Sequence, residues 1–252
     1  GGVYELTVTD ASGCSLVESF VVGEPVSALQ VVGVVSDENC FGDQQGGIDI
    51  SISGGTAPYD INWNNGSKLE DIIGLGRGNY QVTVVDQNGC STQSTFTVGG
   101  PLQLNMSASV QDVSCFGAQD GSLSITPSGG TSPYTYSWSN GAITQDISGL
   151  GEGSYVLTIT DAHNCSINRT FDIQEPLPLV INYTQSDVSC FGADDGQINV
   201  TPSGGNLPYS FSWSDGSTTE DLHSLSGGDY TLLVTDAKGC TITETISISA
   251  PD

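Results

Sequence analysis

Ser154-Tyr155-Val156-Leu157-Thr158-Ile159-Thr160-Asp161-Ala162-His163-Asn164-Cys165 reads as a strand that runs into a tight turn. Tyr155, Leu157 and Ile159 alternate with smaller or polar residues, and a period of two puts them on one face. Asp161 to Asn164 carry the turn. Ser166 to Ile173 then reads as a closing strand. Moving upstream, Leu102 to Val110 alternates as a first strand, Ser122 to Thr126 as a second, and Tyr134 to Trp138 as a third with its aromatic face inward. Pro127 to Pro133 is a loop by its turn residues, Ser139-Asn140-Gly141 carries a hairpin-type signal, and Ile143 to Ile147 reads as a short strand or edge. Nothing shows helical spacing.

The stretch recurs. Tyr4 through Cys14 and Tyr230 through Cys240 repeat its pattern, and the full unit returns about every 75 residues. Landmarks of the period are Cys40, Cys115 and Cys190; Trp63, Trp138 and Trp213; Tyr80, Tyr155 and Tyr230; and Cys90, Cys165 and Cys240. A feature copied in every unit is architecture more often than chemistry. The expected division is residues 1–24 as the end of one repeat, 25–100, 101–175 and 176–250 as whole repeats, and 251–252 as the opening of another. On this reading the sequence is a piece of a longer array.

Six or seven short antiparallel strands around a central Trp indicate an all-β, immunoglobulin-like two-sheet sandwich in each repeat. The three Trp and three Tyr are expected in the cores. The Tyr near the start of a late strand is similar to the tyrosine corner of such folds, at a different spacing. Linkers such as Gln174-Glu175-Pro176-Leu177-Pro178 are short and contain Pro, which restricts the backbone. The repeats are therefore expected end to end as an extended, semi-rigid rod.

Charge excludes two classes of partner. With 29 acidic against 4 basic residues the net charge is −25. Nucleic-acid binding needs a positive footprint, and Lys68, Arg77, Arg169 and Lys238 are scattered singly. An anionic membrane surface repels such a chain, and no apolar run is long enough for membrane insertion in this segment.

Seven cysteines (Cys14, Cys40, Cys90, Cys115, Cys165, Cys190, Cys240) sit at fixed places in the repeat. Zinc sites want close Cys pairs with His, and these are far apart, so structural disulfides and an oxidising compartment are expected. Two pairings stay open. Each repeat closes on itself, joining Cys40 to Cys90, Cys115 to Cys165 and Cys190 to Cys240; or neighbours are stapled, joining Cys40 to Cys165 and Cys115 to Cys240. An immunoglobulin-like order places the two cysteines of one repeat at opposite ends, against the roughly 7 Å reach of a bridge.

Asp187-Val188-Ser189-Cys190-Phe191-Gly192-Ala193-Asp194-Asp195-Gly196, Thr201-Pro202-Ser203-Gly204-Gly205, Pro208-Tyr209, Trp213-Ser214-Asp215-Gly216 and Val234-Thr235-Asp236-Ala237-Lys238-Gly239-Cys240 together resemble the SprB repeat. The resemblance covers all three whole units and the leading partial one. It implies a long cell-surface adhesin of gliding Bacteroidetes, exported by type IX secretion, displayed extracellularly in association with the outer membrane, and coupled elsewhere in the protein to motility machinery.

Candidate chemistry is sparse. Asp112, Asp161, Asp187 and Asp236 fall in recurring columns, and loop carboxylates supply the hard oxygens calcium prefers. The competing reading is turn capping by Asp. No other cofactor is implied. His163 and His223 stand in no repeated constellation, and no nucleophile elbow or phosphate loop is present, so no enzyme is expected. Three functions are weighed: a structural stalk whose partners are neighbouring repeats; a surface polysaccharide-binding module using Tyr59, Tyr134 or Tyr209; and an accessory region of a secreted enzyme.

Overall fold

The computed structural model describes residues 1–23 and 27–251. The repeat boundary expected at 24–25 and the final residue of the 251–252 segment lie outside the described residues. The described residues contain twenty β-strands and no helix. They form two compact units. One is Gly1–Leu104 with Gly129–Thr131; the other is Asn105–Ser128 with the chain from Ser132 onward.

Each whole repeat is built from six antiparallel strands in two three-stranded sheets. In the second repeat, Gly121–Ser128 is the centre of one sheet, flanked by Asn105–Gln111 and Ile147–Leu150. Gly153–Thr160 is the centre of the other, flanked by Thr135–Trp138 and Ser166–Ile173. The first and third repeats repeat this order. Register is set by alternation: Leu123 and Ile125 point inward from one central strand, Leu157 and Ile159 from the other, and all four are essentially inaccessible. Trp138 closes the core with Phe171 tilted against it, ring centroids 6.1 Å apart. Equivalent cores form around Trp63, with Val82 and Val84, and around Trp213, with Leu232 and Val234.

The short strand expected over Ile143–Ile147 runs instead from Ile147 to Leu150. Ile143 is an exposed turn residue. The turn is held by polar groups that a hydrophobic pattern does not register. The indole N–H of Trp138 donates to Thr144 O at 2.9 Å, and Thr144 Oγ1 donates to Asp146 O at 2.7 Å. Asp146 Oδ1 accepts the Ile125 N–H at 2.8 Å, just past the last pair of that ladder, Leu123 with Ile147. Asp71 and Asp221 do the same for Ile50 and Val200.

Gly2–Thr9 and Ser15–Val22 make a two-stranded hairpin that corresponds to the last two strands of a whole repeat. Leu6 and Val8 stand where Val82 and Val84 are buried, yet they are exposed.

Candidate functional site

Three recurrent devices organise the ends of each sandwich, and all are built from Asp, Tyr and Cys. The first is the final hairpin turn. Asp236 Oδ1 accepts the N–H groups of Lys238 (2.8 Å) and Cys240 (2.9 Å), and its Oδ2 accepts the Asn206 N–H (2.7 Å). Asp86 holds Asn88, Cys90 and Thr56 in the same way. The residue before each Cys takes a left-handed backbone, supplied by Gly89 and Gly239 in two repeats and by Asn164 in the middle one. Burial pushes the Asp236 carboxyl up. Hydrogen bonds from Cys240, from Asn206 and from Lys238 more than offset this and hold it below the ordinary value of 3.8. Asp86 is lowered by the same balance, with burial opposed by bonds from Cys90, Thr56 and Asn88.

The second device clips the opposite end. Asp112 Oδ1 accepts the Gln174 N–H at 2.9 Å, and the neighbouring Val113 N–H donates to Gln174 O at 3.1 Å. Asp187 pairs with Ser249 in the same two-bond clamp. Tyr hydroxyls form the third device. Tyr80 donates to Gly76 O, Tyr155 to Gly151 O and Tyr230 to Ser226 O, each four residues upstream. These half-buried rings pack against the cores and tie loop to strand in the manner of a tyrosine corner.

This placement bears directly on the calcium candidates. Asp161 sits at the start of the closing strand Ser166–Ile173 and Asp112 just past its end, an eight-residue separation of ~26 Å. Asp187 and Asp236 are separated in the same way by Thr241–Ile248. Asp112, Asp187 and Asp236 hold backbone N–H groups, as capping requires. Among the described residues no group of three or more His, Cys, Asp or Glu is placed to hold a metal ion. Nor are Tyr59, Tyr134 and Tyr209 free-standing loop residues. All three are half-buried, and the hydroxyls of Tyr59 and Tyr209 donate to Gly54 O and Gly204 O.

The cysteines resolve by the same geometry. Cys115 is bonded to Cys240, with Cα atoms 5.7 Å apart across a sequence separation of 125. This is the staple between neighbouring repeats. Closure within one repeat is overturned. Cys190 lies at the Asp187 end of its sandwich and Cys240 at the other, far outside bridging reach. Cys14, Cys90 and Cys190, expected as disulfide residues, are exposed free thiols. Cys40 and Cys165 do not carry free thiols.

Around the Cys115–Cys240 bridge the two repeats of this unit meet through specific groups. Ser114 O accepts from Asn206 Nδ2 at 3.0 Å and lies 3.3 Å from Cys240 Sγ. Asn206 is fixed in turn by Asp236 Oδ2. A cavity of about 430 Å³ beside the bridge is walled by Phe116 from one repeat and by Leu177, Leu179 and Ile242 from the next. The Ser114–Phe116 loop that enters this contact is held from behind by Asp120, which accepts the Ser114 N–H at 2.9 Å. The Ser114 side chain and this N–H together lower the Asp120 carboxyl. Sequence reading missed Asn206 because the equivalent residues, Thr56 and Thr131, are not Asn.

Fold and junction together define a tandem array of immunoglobulin-like β-sandwiches whose second and third members are covalently linked. Residues 32–68, 107–143 and 182–218 each match the SprB repeat. The chain carries three SprB repeats. No curated protein matches it. Among solved structures it is similar to the N-terminal eight immunoglobulin domains of Down Syndrome Cell Adhesion Molecule, at 15% identity and a TM-score of 0.44. That similarity covers 100% of this chain and 40% of the other. It is also similar to Sidekick-1 immunoglobulin domains 1–5, at 8% identity and a TM-score of 0.42, over 99% of this chain and 66% of the other. Drosophila OTK extracellular domains 3–5 follow at 11% identity and a TM-score of 0.26, over 88% and 92%. Likenesses this loose carry no inference about what this chain binds.

Proposed function

We propose that this chain is a non-enzymatic stalk segment of a long secreted adhesin, displayed on the cell surface in association with the outer membrane and serving gliding motility. The observation that carries the reading is the Cys115–Cys240 bridge. Stapling one sandwich to the next is what a tension-bearing spacer needs, and a disulfide belongs to an oxidising, extracellular setting. Asp86, Asp112, Asp187, Asp236, Tyr80, Tyr155 and Tyr230 serve turns, clamps and corners, which supports an architectural role. An acidic coat of net charge −25 keeps such a strand soluble and self-repelling at short range. Type IX export, attachment to the outer membrane and coupling to motility machinery are part of this proposal, suggested by the resemblance to the SprB repeat.

A stalk is extended. Laid end to end at roughly 35–40 Å per sandwich, as this proposal requires, three whole repeats would reach beyond ~100 Å. Small-angle scattering is the test. The stalk reading expects a maximum dimension above ~100 Å, whereas a radius of gyration near the ~18 Å of a compact globule of this length contradicts it. The polysaccharide-binding reading is disfavoured by the tied hydroxyls of Tyr59 and Tyr209. A glycan array probed with the whole chain separates the two, and retention of any surface polysaccharide that Tyr209→Ala abolishes would favour binding.

A further inference from the structure

The junction within the second unit has two halves. One is the loop Ser114-Cys115-Phe116. The other is the Asp236–Cys240 turn with Asn206 beside it. The third repeat carries the loop again as Ser189-Cys190-Phe191, built to the same pattern. The Ser189 N–H donates to Asp195 Oδ1 at 2.9 Å, as Ser114 does to Asp120. The Ala193 N–H donates to Cys190 O, as Ala118 does to Cys115. The difference lies in what surrounds it. Cys190 is an exposed thiol. Phe191 is 85% exposed, against 57% for Phe116, which faces the next repeat. The loop is preorganised, and its twin one repeat earlier is bonded to a turn of defined chemistry.

The first repeat carries the complementary half. Asp86 Oδ1 accepts the N–H groups of Asn88 and Cys90, and Oδ2 that of Thr56, matching the three backbone bonds of the Asp236 turn, with Thr56 standing where that turn has Asn206. Gly55, left-handed like Gly205, opens the same loop beside it. Cys90 is an exposed thiol as well.

We propose that the Ser189–Phe191 loop is an oxidative docking site for the Asp-x-x-x-Cys turn of another repeat of this kind, and that a second copy of this chain fills it with Asp86–Cys90. The product is a head-to-tail disulfide between Cys190 of one copy and Cys90 of the other. The step needs a disulfide oxidant, for which oxidised glutathione serves. The Cys190 thiolate attacks one glutathione sulfur, forming a mixed disulfide and expelling a glutathione thiolate. The Cys90 thiolate then attacks the protein-side sulfur, the Cys190–Cys90 bond forms, and a second glutathione thiolate leaves. The two protons released by the cysteines end on the two glutathiones, which carry the two electrons. This inference rests on the Cys115–Cys240 junction and not on the adhesin reading.

The test is oxidation of the whole, unreduced chain with oxidised glutathione, followed by non-reducing electrophoresis and mapping of cross-linked peptides. A ladder of dimers and longer forms is expected, with Cys190–Cys90 the dominant linkage by at least several-fold. Cys190→Ser abolishes the ladder, Cys14→Ser leaves it undiminished, and Phe191→Ser slows dimer formation several-fold. Recovery of the Cys115–Cys240 peptide in each variant verifies that the fold persists. Comparable yields of Cys190–Cys190, Cys190–Cys14 and Cys190–Cys90 mean random collision and overturn the proposal, as does a ladder that survives Cys190→Ser. Scattering of the unoxidised monomer is untouched by either outcome, so failure here and failure of the stalk reading are distinguishable.

Discussion

Cys115 and Cys240 belong to successive repeats, and the bond between them closes a loop of 125 residues that contains most of two sandwich cores. Small β domains bury limited cores and commonly lean on covalent cross-links. Here the cross-link joins one domain to the next. Each sandwich is stabilised internally by alternating apolar residues and polar clamps, and the second and third are stabilised in addition by the bridge between them.

The bridge should therefore matter for stability where a free cysteine does not. Cys115→Ser removes a constraint worth about 5 kcal/mol in the chain-entropy account and exposes the second unit to earlier unfolding. Cys190→Ser changes an exposed thiol and should leave the transition in place. Thermal denaturation of both variants beside the parent checks this.

The core predicts its own ranking. Trp138→Ala empties the centre of the second sandwich and should cost about 3–5 kcal/mol. Tyr155→Phe removes only the bond to Gly151 O and should cost about 0.5–1.5 kcal/mol. Denaturant midpoints with Trp fluorescence, read on Tyr155→Phe, and circular dichroism, read on both, order the two.

The trace of this core in the sequence was strong. Leu123, Ile125, Leu157 and Ile159 alternate cleanly, so strand identity and facing followed from period alone. The misplacement at Ile143 has a physical cause: an apolar residue in a turn held by Thr144 and Asp146 mimics an edge strand. The role of the Asp columns was visible as recurrence but not as partner choice. Asp112 and Gln174 are 62 residues apart, and only the folded register brings them together.

Glycine 204 carries a second kind of test. Its backbone is left-handed, and a Cβ there would run into Pro178 O. Gly216 is also left-handed, but open space surrounds it. Both Gly→Ala changes incur the ~1–2 kcal/mol left-handed penalty, and Gly204→Ala adds a backbone collision. A larger drop in melting temperature for Gly204→Ala is expected from parallel thermal scans.

Acid should loosen the turns. The folded-state carboxyls of Asp86 and Asp236 lie below the ordinary 3.8, so the stability they contribute is fully present above that value and is lost as pH falls through their folded values. Unfolding titrations should be flat from neutrality to about pH 4 and fall below it. Asp236→Asn should remove part of that fall, measured as a shallower acid limb in chemical denaturation across pH.

The most direct test of a load-bearing junction is single-molecule extension with handles at Gln111 and Ser249, just outside the bridged pair. With the Cys115–Cys240 bond intact, force bypasses the enclosed residues and extension stays short. Reduction should release 125 residues, adding roughly 410–450 Å of contour length. An oxidised chain that already extends to the full reduced length would contradict the account.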